Sequence, residues 1–223
     1  MDHISRATLK FLKELKANNN RDWFNDNKPR YESARDEFVE FVRALQSEIG
    51  KFDKAVLNLD PKKAVFRIYR DVRFSKNKDP YKTALAARLM PSAGQDGRNA
   101  GYYIHIQPGN CILAGGAYGP EKEWLRSIRD EIDYDAEPLR KVLARKAFKK
   151  YFGALEGDQL KTAPKGFERD HRDIDLLRHK SFVAYHKMPD KTVATAGFHK
   201  YAGKVFKEVK PLNDFLNSAM EDQ

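Results

Sequence analysis

Apolar residues recur every three or four positions from the start of the chain, a spacing that predicts helices. Ile4 and Leu9 stand at staple positions around Ser5, whose hydroxyl can cap a helix, and Thr8, Phe11, Leu12 and Leu15 follow on one face. Asn18, Asn19 and Asn20 compete for backbone hydrogen bonds and end this helix, before a short helical turn carrying Trp23 and Phe24. Pro29 suits the first turn of a long helix, where its missing N–H is not needed. Tyr31, Ala34, Phe38, Phe41, Leu45 and Ile49 then keep helical spacing up to Gly50. From Ala64 to Phe74 the period changes to two, predicting a strand with Phe66, Ile68, Val72 and Phe74 on one face. Arg67, Tyr69, Asp71 and Arg73 take the other. Arg70 falls among the apolar set, so either that face is an opening or the strand bends.

Ala84–Met90, Tyr102–Gln107 and Cys111–Tyr118 read as further strands, the last two joined by a turn at Pro108-Gly109-Asn110. Pro120 opens a helix with Trp124, Leu125, Ile128 and Ile132, and Asp135 caps another that runs through Leu139, Val142, Leu143 and Phe148. Residues 153–167 read as loop with room for a short strand, Asp173 caps a helical turn through Leu177, and Ser181–Met188 alternates as a strand. A last helix from about Thr195 carries Phe198, Tyr201, Val205, Val209, Leu212 and Leu216, with a kink expected at Pro211. Strands joined by short links, not by regular helical crossovers, predict an α+β fold. Its central antiparallel or mixed sheet has about four to six strands packed by N- and C-terminal helices. With no repeat or linker, residues 1–223 read as a single domain.

Composition supports a packed core: 41% of the 223 residues are hydrophobic and 12% aromatic. No apolar run reaches bilayer length, the N-terminus lacks a signal-peptide pattern, and a lone cysteine excludes an internal disulfide framework. These features predict a cytoplasmic protein without a membrane partner. The formal net charge of +10 permits attraction to phosphates, carboxylates or nucleic acid. Between Arg67 and Lys82, six basic residues face two acidic ones, a surplus of four of the ten net charges.

The chain carries four blocks in a distinctive order. The first is Asn20-Arg21-Asp22-Trp23-Phe24, and the second runs from Phe66 to Ser75 and continues through Lys78, Pro80-Tyr81-Lys82-Thr83. The third spans Tyr102-Tyr103, Pro108-Gly109, Gly115-Gly116, Pro120, Leu125 and Arg129. The fourth holds Pro164-Lys165-Gly166-Phe167, Asp170-His171, Leu176-Leu177, Lys180 and Phe182. Together they resemble a widespread family of bacterial and fungal proteins known as a conserved domain of unknown function. The chain departs from that pattern at Lys76-Asn77, at Ala84 and at Arg172. The resemblance implies a shared fold and brings no activity with it.

The Arg67–Lys82 cluster is the leading candidate site. Arginine forks match carboxylates and phosphates, and neighbouring aromatics can stack on a ligand. Arg67, Arg70, Arg73, Lys76 and Lys82 are the candidate anion ligands, with Tyr69 and Tyr81 as walls. Pairing with Asp71 and Asp79, with the remainder solvated, accounts for the same residues without a ligand. Gly115 and Gly116, at a strand exit ahead of Pro120, would add backbone N–H groups for an anion, or else serve a close-packed turn. His171 sits among Asp170, Asp173 and Asp175 and is the candidate general base. Capping and local salt bridges explain that grouping equally, and a metal site would need another histidine, such as His105 or His186, brought close in space. Cys111 lies in an apolar run and reads as a buried structural thiol. The basic stretch 145–150 reads as a solvated helix face. The expectation is binding of an anionic small molecule, with or without catalysis; a nucleic-acid module and a protein-interaction domain are the alternatives. No motif names a cofactor, and the oligomeric state stays open.

Overall fold

A computed structural model describes residues 1–90 and 99–219 of the chain. Four strands, β1 (Leu85–Leu89), β2 (Gly101–Ile106), β3 (Cys111–Ala117) and β4 (Phe182–Met188), form one antiparallel sheet in sequence order. Helices α1 (Arg6–Ala17), α2 (Arg21–Asp26), α3 (Lys28–Ile49) and α4 (Pro61–Ala64) precede it. Between β3 and β4 come α5 (Lys122–Tyr134), α6 (Glu137–Ala144), α7 (Lys146–Phe152) and α8 (Ile174–Leu177). α9 (Asp190–Val193) and α10 (Phe198–Ser218) follow. The fold is α+β, with its sheet flanked by N- and C-terminal helices. Among the described residues, no helix is long and apolar enough to cross a membrane.

The chain divides into two compact units, each assembled from three stretches. The first is Met1–Leu89, Tyr103–Leu113 and Lys187–Lys204. Its helices obey the local signals: Ser5 Oγ accepts the Thr8 N–H at 3.1 Å to cap α1, and Pro29 lies in the first turn of α3. Phe11, Leu12 and Leu15 of α1 and Phe38, Phe41, Leu45 and Ile49 of α3 are all buried. Phe41 stacks on Phe198 with ring centroids 5.2 Å apart. The N-terminal residues are tied down within this unit. Ile4 N–H donates to the Val193 carbonyl at 2.9 Å, and Gly197 N–H donates to Asp2 Oδ2 at 2.9 Å.

The second unit is Met90–Tyr102, Ala114–His186 and Val205–Gln223, as far as these stretches are described. Here Tyr102 packs on Phe206 at 5.2 Å, and the Trp124 indole N–H donates to the Leu216 carbonyl at 3.0 Å. Ile128, Ile132, Leu139, Phe148, Leu177 and Phe182 complete its interior. Arg129 bridges the Leu177 and His179 carbonyls through two guanidinium N–H groups, at 2.9 and 3.0 Å.

Several expectations change. Residues 64–74 form no strand: Val65 and Tyr69 make only isolated bridges, to Ala87 and Tyr81. The alternation misleads because Phe66 and Phe74 turn outward, while Asp71 Oδ1 accepts the Arg73 N–H and bends the chain. α5 starts at Lys122, beyond Pro120. The helix expected through Phe148 breaks at Arg145, whose ψ of 131° is not helical. The last helix starts at Phe198, after the separate turn of α9.

Candidate functional site

Residues 65–83, in the first unit, double back on themselves. The Arg70 N–H donates to the Pro80 carbonyl at 2.9 Å and the Lys82 N–H to the Ile68 carbonyl at 2.7 Å, so the loop 71–79 projects from a short paired base. An aromatic cluster supports that base. Phe24 of α2 stacks on Tyr81 with centroids 3.9 Å apart and planes at 16°, while Tyr69 meets Tyr81 at 5.5 Å and Phe24 at 6.3 Å. Tyr81, placed as a pocket wall by its sequence position, is only 5% exposed, and burial pushes its phenol above the usual pKa. Asn19 secures it from the end of α1, where its side-chain amide bonds the Tyr81 backbone at both N and O.

The basic residues of this segment have separate fates. Arg73 forks onto Asp71 with contacts of 3.0 and 2.7 Å, a bidentate pair that holds the Asp71 carboxyl below its usual range. Arg70 resolves the oddity of its apolar register by reaching along the loop, donating to the Asp79 carbonyl at 3.0 Å and to Ser75 Oγ at 3.3 Å. Lys78 donates to the Val72 carbonyl at 3.0 Å. These three cations stitch the loop to itself.

Arg67, Lys76 and Lys82 are arranged differently. Lys82 Nζ donates to the Arg67 carbonyl at 2.8 Å and lies 5.4 Å from the Phe66 ring centroid. Burial, and then the Arg67 charge, lower its pKa. Among the described residues, no carboxylate stands within ion-pair distance of Arg67, Lys76 or Lys82. Phe66, Tyr69 and Phe74 are 44%, 53% and 95% exposed, and the Phe66 ring is the one beside the Lys82 ammonium.

A polar row on and just after β2 adjoins Phe66; the sequence pointed to its His105 only as a possible partner in a metal site. Tyr103, His105 and Gln107 alternate with the buried Tyr102, Ile104 and Ile106, so they share one side of the strand. Tyr103 Oη lies 3.0 Å from His105 Nδ1, His105 Nε2 lies 3.0 Å from Gln107 Oε1, and Gln107 Nε2 donates to Thr83 Oγ1 at 3.0 Å. Phe66 touches Tyr103 with centroids 6.3 Å apart. The signal available in advance was the period-two run of polar side chains; Thr83, which anchors it, is 24 residues away in sequence.

The profile of a family described as conserved hypothetical protein (DUF2461) matches residues 7–215. The chain belongs to this family. No curated protein and no solved structure matches it. The family profile therefore spans the aromatic cluster, the basic loop and the β2 row together, and it attaches no activity to them.

The remaining candidates in this family member lie in the second unit. Gly115 and Gly116 fall inside β3, where a Cβ on Gly115 would stand 2.5 Å from Val209 Cγ1. Gly116 has a φ of 111°, and a Cβ there would stand 2.0 Å from the Phe182 carbonyl oxygen. Its N–H is taken by Asn213 Oδ1 at 2.8 Å, and that of Gly119 by Ser181 Oγ at 2.9 Å. Close packing accounts for both glycines. His171 Nε2 lies 2.8 Å from Asp133 Oδ1, and its Nδ1 accepts the Asp173 N–H at 3.1 Å. That acceptor role puts the hydrogen on Nε2, where it donates to Asp133. Asp173 occupies the N-cap position of α8 without a capping hydrogen bond, because its carboxylate binds Arg140 at 2.7 Å and Arg172 at 3.0 Å. Among the described residues, no group of three or more His, Cys, Asp or Glu is placed to hold a metal ion.

Proposed function

We propose that the protein binds an anionic ligand, phosphorylated or carboxylated, on the face formed by Arg67, Lys82 and the exposed Phe66 ring. The observation that carries this reading is the adjacency of two cations with no carboxylate in ion-pair contact with either, the Arg67 charge reaching Asp71 only at longer range. Lys82 is partly desolvated beside Arg67, and the like charge makes its ammonium harder to keep. A bound anion would relieve that repulsion and gain charge-assisted hydrogen bonds from both groups. Arg70, Arg73 and Lys78 shape the loop and do not contact the ligand in this reading.

Calorimetric titration with inorganic pyrophosphate tests it. Binding is expected in the wild type and should weaken by about tenfold or more in Arg67→Ala and in Lys82→Ala. Equal binding by wild type and both variants overturns the proposal.

The near-complete exposure of Phe74, with the Arg73 guanidinium 5.7 Å from its ring centroid, favours a second reading: stacking of single-stranded nucleic acid on the open loop. That reading requires oligonucleotide affinity that falls steeply with added salt and drops in Phe74→Ala, whereas the small-anion site is indifferent to Phe74.

A further inference from the structure

The first unit carries a row of aromatic rings that the basic face does not use. Phe11 and Phe24 form its floor and are 1% and 2% exposed. Three outer rings rest on them. Trp23 stacks on Phe11 with centroids 6.0 Å apart, Tyr31 meets Phe11 at 6.3 Å and Phe24 at 5.2 Å, and Tyr69 meets Phe24 at 6.3 Å. Trp23 and Tyr31 are half-buried and Tyr69 is exposed. The polar tips of such rings ordinarily find a partner when they leave water. Among the described residues, none hydrogen-bonds to the Trp23 indole N–H or to the Tyr31 and Tyr69 hydroxyls. The row therefore presents three unused donors beside flat apolar surface.

The charges around it are balanced. Arg30, beside Phe11, is closed onto Glu14 at 2.7 Å, and Arg35, whose charge reaches Tyr31, onto Asp36 at 2.8 Å. Glu32 reaches Tyr31 and Arg21 reaches Tyr81, and among the described residues neither makes an ion pair. With one free charge of each sign, the row suits a partner that brings acceptors and apolar rings, not an anion.

We infer that Trp23, Tyr31 and Tyr69 form a docking surface for a proline-rich segment of a partner protein in the polyproline II conformation. Proline has no N–H, and this helix makes no internal hydrogen bonds, so its carbonyls take donors and ask for no acceptors in return. Pyrrolidine rings pack on the aromatic faces while the phenol and indole hydrogens meet the carbonyls. Each outer ring sits 5.2–6.3 Å from the phenylalanine it shares with the next, which accommodates the three-residue repeat of about 9 Å in such a helix. Glu32 places a negative charge near Tyr31, complementary to an arginine flanking the proline run. The inference is independent of the anion-binding reading, since neither Arg67 nor Lys82 takes part.

The test is calorimetric titration with end-blocked decaproline, with decaproline extended by one arginine, and with a Gly-Ser peptide of equal length carrying the same arginine. The wild type is expected to bind both proline peptides, the arginine form about threefold more tightly, and not the Gly-Ser peptide. Tyr31→Phe and Tyr69→Phe keep the rings and remove only the donors. Each should weaken decaproline binding by about fivefold, with an unchanged melting temperature to verify folding. Glu32→Gln should erase the advantage of the arginine. Absence of decaproline binding, equal binding of the Gly-Ser peptide, or unchanged affinity in both phenylalanine variants overturns the inference. Displacement of bound decaproline by pyrophosphate would assign the row to an anion site and overturn it as well. Arg67→Ala should bind decaproline as the wild type does, so this reading and the anion-binding one stand or fall separately.

Discussion

Asn19 acts on Tyr81 as a strand would, pairing with both backbone groups of one residue: its Nδ2 donates to the Tyr81 carbonyl at 2.9 Å, and its Oδ1 accepts the Tyr81 N–H at 3.1 Å. Because Tyr81 is buried, neither group has water as a ready substitute. Asn19→Ala is expected to cost about 1–3 kcal/mol in urea unfolding. Asn19→Asp should also be destabilising, since a carboxylate cannot donate to the carbonyl. An Asp variant as stable as the wild type would show that only one of the two bonds matters.

Arg70 tests whether the loop is held by neutral acceptors. Its contacts to the Asp79 carbonyl and Ser75 hydroxyl belong to the loop, not to a core ion pair. Arg70→Gln should therefore lower Tm only by about 2–4 °C, equivalent to about 1 kcal/mol. Amide exchange should accelerate across residues 71–79. A much larger loss would assign Arg70 a role in the core.

Gly116→Ala combines an unfavourable backbone with a collision, because the new methyl group would meet the Phe182 carbonyl in the neighbouring strand. The expected loss is at least about 2 kcal/mol in denaturant unfolding. Gly109→Ala, with a φ of 80° but open space around it, should cost less. Equal effects would mean that backbone conformation alone decides.

His179 sets a pH dependence. Burial pushes its imidazole below the ordinary 6.5, against smaller opposing contributions from the Ser181 backbone and the Asp175 charge. The folded chain thus binds this proton less readily than the unfolded chain does. The stability contribution is present above about pH 6.5 and is lost as pH falls through the folded value. Between pH 7.5 and 5.5 the wild type should lose more Tm than His179→Gln. Parallel losses would exclude His179 as the source.

Cys111 should be chemically silent while the protein is folded. Burial raises its thiol to about 11, and Sγ donates to the Gln107 carbonyl at 3.3 Å. At pH 8 the thiolate fraction is about one in a thousand. A thiol-reactive disulfide reagent should give no signal with the native protein and one equivalent after unfolding.

Local chemistry made most of the helices and the hairpin readable. Ser5, Pro29 and the Pro108–Asn110 turn each act within a few residues of themselves, and the structure uses them as written. The segment 64–74 was misread because period-two alternation describes any extended chain, and only tertiary contacts decide whether Phe66 and Phe74 face inward. The site was half legible. Its basic residues are contiguous, but which of them remain uncompensated depends on loop closure, and the Asn19–Tyr81 clamp joins residues 62 apart.

The pinning of the N-terminal residues has a consequence for biosynthesis. Gly197 closes onto Asp2 across a separation of 195 residues, and Val193 onto Ile4. In a nascent chain, α1 emerges long before Val193 and Gly197, the partners of Ile4 and Asp2, have been made. Contacts so distant in sequence slow the final closure of the fold. The α1 face is covered sooner, because Phe11 packs on Trp23 and Tyr31, so it is the anchoring of Asp2 and Ile4 that comes last.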